Sequence, residues 1–507
     1  MSVTSPENDP TEAQRTVVNF TDEFLNTLFD TDQKSVRLSG HCFSLRKMKK
    51  MIFIVLRKHN QTIQCILMKK TNPQAFALLS DLTDESTITI EGEITKPPKP
   101  VESCDVHQFE VFVKDAKVIT RATELPFFVA DANEILVGDE GDGLVEEDDN
   151  EGDENEKQDR VKVRRRARLQ SRWLDLRAEN NYRIVQLRSA LVNSIRRVAL
   201  DSEGFIEVST PKIIPAISES GAHVFGLKYF DRTAYLAQSP QLYKQMLINS
   251  GLKGVFEIGP VFRAENSLTY RHLCEFTGLD MEFPIEPTEN HYDIVRRIWS
   301  ILYRGFNTFY TANVDDIMAI LKKTGVSLPN VPEEPLIIDF CDGVDMLNEA
   351  GFTQSKMDDI GSVNERELGK LIKEKYDSDL FVLINYPSES RPFYTMVDSN
   401  VDSEGVRDYS NHSRSFDIIF RGSEISSGAQ RNHDPDVLKE RIALSGIELD
   451  FQNKTTGLED YVRSFEHGSM PHGGCGIGVE RLVMLYLGLP NVRSVSLFPR
   501  DPRTITP

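Results

Sequence analysis

Residues 262–283, FRAENSLTYRHLCEFTGLDMEF, place cationic side chains among carboxylates in a chain whose formal net charge is -19. Arg263, Arg271 and His272 can donate hydrogen bonds to phosphate oxygens. Glu265 lies close to them in sequence, so the alternative is a surface hairpin held together by ion pairs. We interpret the three cations as part of a site for a nucleoside triphosphate.

The end of this segment alternates in the manner of a β-strand. One face is expected to pack into the core through Leu279, Met281 and Phe283. The other face is expected to be open to solvent and to offer a flat ring for stacking, a glycine that permits close approach, and carboxylates for a cationic group. These positions are Phe276, Gly278, Asp280 and Glu282.

A second segment, PHGGCGIGVERLVMLYLGLP at residues 471–490, is rich in glycine. It predicts a strand almost free of side chains, followed by a helix that carries Arg481 in its first turn and ends near Gly488. Main-chain donors at the start of a helix and a guanidinium suit a terminal phosphate. A Walker loop and a dinucleotide-binding turn are excluded, because the required lysine and the strand-to-helix GxGxxG order are missing.

The segment GFIEVSTPKII, residues 204–214, predicts a helix stop at Gly204 and then a strand that ends at Pro211. Proline cannot donate to a β-ladder, so Pro211 is expected at the edge of a sheet and at a subunit interface. An ordinary turn from helix to strand is the alternative.

A chain of 507 residues must contain at least two domains to position these groups. Residues 1–30 are expected to form a flexible tail. Short β-branched runs in residues 31–130 predict a five-stranded barrel, which is typical of oligonucleotide-binding domains. Residues 131–180 are predicted to be an acidic and then basic linker, and residues 181–507 an α+β domain that begins with a helix.

The composition is that of a soluble globular protein, with 39% hydrophobic and 27% charged residues. No apolar run is long enough to span a membrane, and the N-terminus has no secretory or transit signal, so a cytoplasmic location is expected. The six cysteines lack zinc spacing. Much of the acidity lies in residues 139–156, so the net charge does not exclude a nucleic-acid partner.

Taken in order, the segments at about 204–214, 255–283 and 471–490 resemble motifs 1, 2 and 3 of the class II aminoacyl-tRNA synthetases. RWLDLR at 172–177 and the barrel are similar to the subgroup that charges aspartate, asparagine and lysine. AQSPQLYKQ, RPFYTM and GSEISSGAQRNHDP, with the 262–283 segment, resemble the eukaryotic-type cytosolic aspartyl-tRNA synthetases. The resemblance implies an antiparallel-sheet catalytic domain, an OB-fold barrel, a homodimer, and an enzyme that uses L-aspartate, ATP with Mg²⁺, and tRNA(Asp), with no zinc and no organic cofactor.

The resemblance also implies roles in ATP binding. Arg263 would hold the α-phosphate, Phe276 would stack on adenine, and Arg481 with His272 would hold the γ-phosphate. Asp417 and Glu424 match the magnesium-binding acids, and Arg263, Arg481 and Glu424 would be the catalytic residues. The other ATP-binding positions implied are Glu265, Arg271, Leu273, Gly476, Ile477, Gly478 and Val479.

For aspartate, the resemblance places Lys244 and Arg431 against the side-chain carboxylate. Glu219, Gln241, Asp280 and Ser427 would surround the amino end. Arg263 would also belong to the aspartate site. Two departures from the family pattern are Cys475 and Ser220, each of which replaces a usual glycine. Cys475 is expected either to crowd the ligand or to expose the site to oxidation.

For tRNA, the resemblance places Phe53 against an anticodon base, and a core phenylalanine is the alternative. The barrel would also read bases through Arg46, Gln64 and Glu110. Ser267 and Thr269 would contact the acceptor end, and the basic run VKVRRRARLQSR at 161–172 would add to tRNA affinity.

Three other functions fit the same resemblance less well. Lys244, Arg431 and TGLDMEF count against an asparaginyl-tRNA synthetase. A synthetase-like RNA-binding protein without catalysis is expected to lack the motif arginines, which are present here as Arg263 and Arg481. The barrel counts against an amino-acid ligase that does not use tRNA.

Overall fold

The computed structural model describes residues 20–31, 34–136, 163–215, 223–398, 400–401, 407–408, 412–454 and 456–507. Glu219, Ser220 and the acidic run at 139–156 lie outside these residues. The described residues form two compact units. The first contains the described residues of 20–133 and 163–182, and the second contains 134–136 and the described residues of 183–507. Within the described part, no helix is long and apolar enough to cross a membrane.

The first unit contains the predicted five-stranded barrel, which is closed in the order β1-β2-β3-β5-β4. Alternation along β2 explains its core, because Ile52, Ile54 and Leu56 have no exposed surface and point into the barrel. The elements are α1 (Asp22–Asp30), β1 (Ser35–Lys47), β2 (Met51–Lys58), β3 (Gln61–Met68), α2 (Pro73–Ser80), β4 (Thr87–Thr95) and β5 (Glu110–Thr120).

Two short helices, α3 (Arg165–Gln170) and α4 (Arg172–Asp175), follow in the same unit. Arg168 donates to Asp175 at 2.6 Å, and Arg172 donates to the other oxygen of the same buried carboxylate. Both guanidiniums are buried against this carboxylate, so these two arginines of the basic run do not face a phosphate backbone. The expectation that the whole run serves tRNA is wrong for Arg168 and Arg172.

The second unit is built on an eight-stranded sheet in the order β12-β13-β16-β17-β18-β11-β10-β6. Its pairs are antiparallel except for β10 with β6 and β12 with β13. The strands are β6 (Ile206–Glu207), β10 (Val255–Phe262), β11 (Glu275–Pro284), β12 (Ile337–Asp339), β13 (Leu380–Ile384), β16 (Ser415–Phe420), β17 (Ser423–Gln430) and β18 (His472–Gly478).

Helices cover this sheet and bury its core. The predicted helical stripe is confirmed, because Leu187, Leu191 and Ile195 are each 1% exposed and pack in one cluster with Trp299. The helices are α5 (Glu179–Arg197), α6 (Gln241–Asn249), α7 (His291–Ala312), α8 (Val314–Thr324), α9 (Phe340–Glu349), α10 (Ser362–Tyr376), α11 (Pro435–Leu444), α12 (Glu459–Glu466) and α13 (Val479–Tyr486).

Two small sheets lie outside the main one. They are built from β7 (Ile213–Ile214), β8 (Gly226–Tyr229) and β9 (Arg232–Leu236), and from β14 (Asn400–Val401) and β15 (Arg407–Asp408). Gly204 has the positive φ of +65° that its predicted helix stop requires. Pro211 is exposed between β6, the outermost strand of the main sheet, and β7. Its place at a subunit interface stays a prediction.

Candidate active site

A cavity of about 370 Å³ opens on the central strands of the eight-stranded sheet. Arg263 follows β10 and Arg481 lies in α13, and both line this one cavity. The other predicted residues that line it are Glu265, Arg271, His272, Leu273, Phe276, Glu424, Gly476, Ile477 and Gly478 of the ATP set, and Gln241, Asp280, Ser427 and Arg431 of the aspartate set. The predicted residues Val479, Lys244 and Asp417 do not line it.

The floor of the cavity is the β11–β18 ladder, in which Asp280 is opposite Gly476. A Cβ atom on Gly476 would lie 2.9 Å from Oδ1 of Asp280, so any side chain at this position would displace the carboxylate. The predicted alternation of β11 is confirmed for its core face. Its open face is only partly as predicted, because Glu282 is fully buried.

The extra side chain at Cys475 points away from the cavity. Because alternate residues of a strand face opposite sides, Gly476 faces the cavity and Cys475 faces the core, where it is 0% exposed. Burial raises the pKa of the Cys475 thiol to about 11. The expectation that this cysteine crowds the ligand is therefore wrong.

Cationic groups converge at the α13 end of the cavity. Arg481 donates from Nη1 to the Glu424 carbonyl oxygen at 2.7 Å, and Arg271 donates to Glu365 at 2.8 Å. The Arg263 guanidinium lies 5.7 Å from the centroid of the Phe276 ring. Three arginines that line one enclosed space form a strongly attractive site for a polyanion.

His272 lies among these arginines and is neutral at physiological pH. Burial, followed by the charges of Arg481, Arg271, Arg263 and Arg493, lowers the pKa of His272 to about 4. Its Nδ1 lies 3.1 Å from the Ser267 hydroxyl and 2.5 Å from the Thr269 hydroxyl. The two residues predicted to meet the tRNA acceptor end thus contact His272 in this structure.

Because of this low pKa, His272 is not expected to change its protonation state in the neutral pH range. A group with a pKa of about 4 is already deprotonated well below neutrality, so we expect no inflection from His272 in kcat/KM for ATP between about pH 5.5 and 7.5. Profiles of the unmodified protein and of His272→Asn should run parallel when pyrophosphate exchange is measured across this range. An inflection near pH 6.5 that disappears in the variant would contradict the assignment.

The two acidic positions of the predicted metal site have different surroundings. Asp417 is 5% exposed and forms a two-pronged pair with Arg391 at 2.7 and 3.1 Å. For Glu424, no cationic group of the described residues lies within 4.0 Å of the carboxylate. Burial and the nearby charge of Asp417 raise the pKa of Glu424 to about 7. Of the two acids, Glu424 is thus the one without a direct ion pair among the described residues.

At the opposite end of the cavity, Arg431 is 3% exposed and Glu282 orients its guanidinium. Nε and Nη2 donate to the Glu282 carboxylate at 2.9 and 3.2 Å, and Nη2 also donates to the Gly474 carbonyl at 2.9 Å. Because Arg431 also lines the cavity, its remaining nitrogen, Nη1, is the one left for a ligand. The charge of Arg431, with that of Lys244, lowers the pKa of the buried Glu282.

Lys244 lies beneath the cavity floor. Its Nζ is 3.1 Å from Asp280, 3.3 Å from Glu282 and 3.1 Å from the Cys475 carbonyl oxygen. These acceptors use the three protons of the ammonium group. In this structure Lys244 therefore holds the acidic side chains of β11 in place. Of the two cations predicted for the aspartate side chain, Arg431 is the one that lines the cavity.

Sequence inspection missed Arg391 and Glu365. Arg391 lines the cavity, donates to Ser427 at 3.0 Å, and stacks over the Tyr386 ring at 3.8 Å. Glu365, at the start of α10, fixes Arg271. The string RPFYTM contained the signal for Arg391, whereas Glu365 lies in a stretch with no recognisable motif.

The barrel holds the predicted anticodon residues on its outer surface. Phe53 is half-buried, and the Arg46 guanidinium lies 4.9 Å from its ring centroid. Gln64 donates to Glu110 at 2.8 Å on neighbouring strands. Since Ile52 and Ile54 fill the interior on either side of it, Phe53 is not a core residue of the barrel.

Comparison with known proteins agrees with this geometry. Residues 164–502 match the family described as tRNA synthetases class II (D, K and N), and residues 36–119 match the OB-fold nucleic acid binding domain. The chain is 38% identical over 481 residues to the cytoplasmic aspartate–tRNA ligase of Caenorhabditis elegans, covering 94% of this chain and 85% of that protein. The corresponding Homo sapiens ligase is 38% identical over 461 residues, covering 90% and 85%.

Solved structures give the same result. A putative aspartyl-tRNA synthetase from Leishmania major Friedlin superposes with a TM-score of 0.81 at 33% identity, covering 99% of this chain and 97% of that one. The asparaginyl-tRNA synthetase of Pyrococcus horikoshii, complexed with asparaginyl-adenylate, superposes with a TM-score of 0.74 at 28% identity, covering 93% and 96%. With its barrel, its antiparallel sheet and its arginine-lined cavity, this chain belongs to the class II aminoacyl-tRNA synthetases, close to the cytoplasmic aspartyl-tRNA synthetases.

Proposed function

We propose that this chain is an aspartate–tRNA ligase that joins L-aspartate to ATP, forming aspartyl-adenylate and pyrophosphate, and then transfers the aspartyl group to the 3'-terminal ribose of tRNA(Asp). This proposal depends on one observation, that Arg263, Arg481 and Arg431 line the same cavity. Pyrophosphate exchange with purified protein, followed by charging of tRNA(Asp) and tRNA(Asn), tests it. Exchange that requires asparagine and not aspartate would contradict it.

The side chains of the cavity can assist this chemistry by binding and orientation alone. The aspartate α-carboxylate attacks the α-phosphorus, pyrophosphate leaves, and negative charge grows on the phosphate oxygens. Arg263 and Arg481 stabilise that charge, while Phe276 and Arg431 hold the two substrates in line. No protein nucleophile is needed.

The donor set near Arg481 fits a divalent cation that accompanies ATP. Glu424 is enclosed by protein with Asp417 nearby, and a cation would offset the burial and the repulsion from Asp417 that together raise its pKa. Carboxylate oxygens are the ligands that Mg²⁺ prefers. Glu424 would hold the ion and Asp417 would support it, and when bound the ion would neutralise phosphate charge.

In the barrel, Phe53→Ala is expected to weaken tRNA charging and to leave aspartate activation intact. Loss of one base–ring stack costs about 1–3 kcal/mol, or roughly a 5- to 150-fold rise in KM for tRNA. Parallel assays of tRNA charging and pyrophosphate exchange measure both steps. Phe128→Ala, which removes a ring that is 60% exposed in the same unit, is the matched control. Equal loss in both assays of Phe53→Ala would indicate structural damage.

We also propose a homodimer formed through the edge of the main sheet and a cytoplasmic location. Ile206 and Ile213 are 44% and 50% exposed on either side of Pro211, so an apolar surface is available at this edge. The location rests on the names of the similar ligases.

A further inference from the structure

A chain of buried hydrogen bonds leads from β18 to the end of the cavity near Arg431. It joins His472, Gln245, Gln241 and Tyr461, which lie on β18, α6 and α12. His472 and Gln245 are 0% exposed, Tyr461 is 1% exposed and Gln241 is 5% exposed. Water therefore does not compete for these bonds, and each donor must face an acceptor.

A main-chain carbonyl fixes the donor-to-acceptor direction at one end of this series of hydrogen bonds. Nδ1 of His472 lies 2.8 Å from the Met470 carbonyl oxygen, which can only accept, so Nδ1 carries a proton. Burial lowers the pKa of His472, so the ring is neutral and its Nε2 is an acceptor. Gln245 lies 3.0 Å away and must donate its amide N–H to that nitrogen.

The orientation of Gln245 then determines that of Gln241. With its nitrogen turned to His472, Gln245 presents Oε1 to the other side, where it accepts from the Tyr461 hydroxyl at 3.0 Å and from Nε2 of Gln241 at 2.9 Å. Gln241 lines the cavity, and the end of its amide left for a ligand is Oε1. That oxygen makes no hydrogen bond to any residue that the structure describes.

We propose that Gln245, His472 and Tyr461 are positioning residues that hold the Gln241 carboxamide with its oxygen toward the cavity, so that this position binds the α-ammonium of the amino acid and repels its carboxylates. The inference rests on the proposed function, in which the amino acid is L-aspartate. A reversed amide would offer N–H groups and would attract a carboxylate. The donor-to-acceptor direction of these hydrogen bonds therefore determines whether the ammonium or a carboxylate of the substrate is bound at Gln241.

The test uses Gln245→Met, which keeps the side-chain length but removes both hydrogen-bonding ends. The Gln241 amide then loses its partner and can rotate. A hydrogen bond to a charged group contributes about 1.5–3 kcal/mol, so KM for aspartate in pyrophosphate exchange should rise roughly 10- to 150-fold. KM for ATP and kcat should stay close to those of the unmodified protein.

Succinate, which is aspartate without the ammonium group, separates positioning from general damage. Its inhibition constant against aspartate should be the same in the unmodified protein and in Gln245→Met, because the amide orientation acts through the ammonium. Gln241→Met should raise KM for aspartate as Gln245→Met does, and the double variant should add nothing further. Equal weakening of succinate and aspartate, or losses that multiply in the double variant, would overturn the proposal.

Gln245→Glu serves as the conservative variant. A carboxylate still accepts from Gln241 and Tyr461, and His472 can take up a proton to donate to it, so KM for aspartate should recover most of the loss. If thermal melting shows that Gln245→Met is not folded, KM for aspartate is compared between Gln241→Met and Gln245→Glu instead. Equal increases in KM in these two variants overturn the proposal. Absence of aspartate-dependent exchange in the unmodified protein would instead refute the proposed function, and this inference with it.

Discussion

Replacing Arg481 with alanine should lower the rate of aspartate-dependent pyrophosphate exchange by about 10²–10³-fold or more. The guanidinium lines the cavity beside Glu424 and Arg271, where low exposure to water strengthens its attraction for phosphate. Arg263→Ala should cause a loss of similar size, because Arg263 lines the same cavity next to Phe276. Steady-state exchange with saturating aspartate measures both losses.

The matched control is Arg296→Ala, which removes an arginine that is 59% exposed on α7. We expect this control to exchange at the rate of the unmodified protein. Arg481→Lys should recover only part of the lost rate, because an ammonium cannot reproduce the planar, forked donors of a guanidinium. Exchange within a few-fold of normal in Arg481→Ala would refute the role of the cavity as an ATP site.

The second large effect is expected at Arg431. Removing a charged partner of a bound carboxylate costs about 2–5 kcal/mol, so Arg431→Gln should lower kcat/KM for aspartate by tens to thousands of times. The unmodified protein should prefer aspartate to asparagine by a similar factor, since the amide nitrogen of asparagine would meet a guanidinium donor. Exchange assays with both amino acids measure these ratios, and robust use of asparagine by the unmodified protein would contradict this account.

Arg431→Gln should also reduce stability, and this effect can be separated from binding. It leaves Glu282 buried with Lys244 at 3.3 Å as its remaining cation, so the cost should be at or below the roughly 3–5 kcal/mol of a broken buried pair. Adding Glu282→Gln removes the buried charge that has lost its arginine partner. The double variant should regain most of its melting temperature and none of its activity. Recovery of activity along with stability would show that Arg431 is only structural.

The sequence predicted those parts of this protein in which the residue types and the spacing of the apolar residues indicate the same structure. The β-branched runs define the barrel, the helical stripe from Ile184 to Val198 is buried, and the alternation of β11 places Leu279 and Phe283 in the core. Arg263 and Arg481 are 218 residues apart, and they meet because β11 pairs with β18. Only the family resemblance, and not periodicity, could predict that pairing.

The remaining features depend on contacts between distant residues. Lys244 was predicted to bind the substrate, and in this structure its ammonium is paired with Asp280 and Glu282 beneath the floor, so its role toward aspartate stays a prediction. Glu282 lies on the face that alternation assigns to solvent, yet it is buried and paired with Arg431, which follows β17. No spacing along the chain encodes either pairing. Arg391 lies within the string RPFYTM, but its pairing with Asp417 on β16 could not be predicted from that string.

The inward orientation of Cys475 determines how this protein should tolerate peroxide. Only the thiolate reacts readily with oxidants, and with a pKa of about 11 this sulfur is almost entirely protonated in the cell. A cysteine in place of glycine, in a strand that borders the cavity, is therefore not expected to make catalysis sensitive to redox stress. The substitution adds apolar volume to the interior and leaves the chemistry of the strand's other face unchanged.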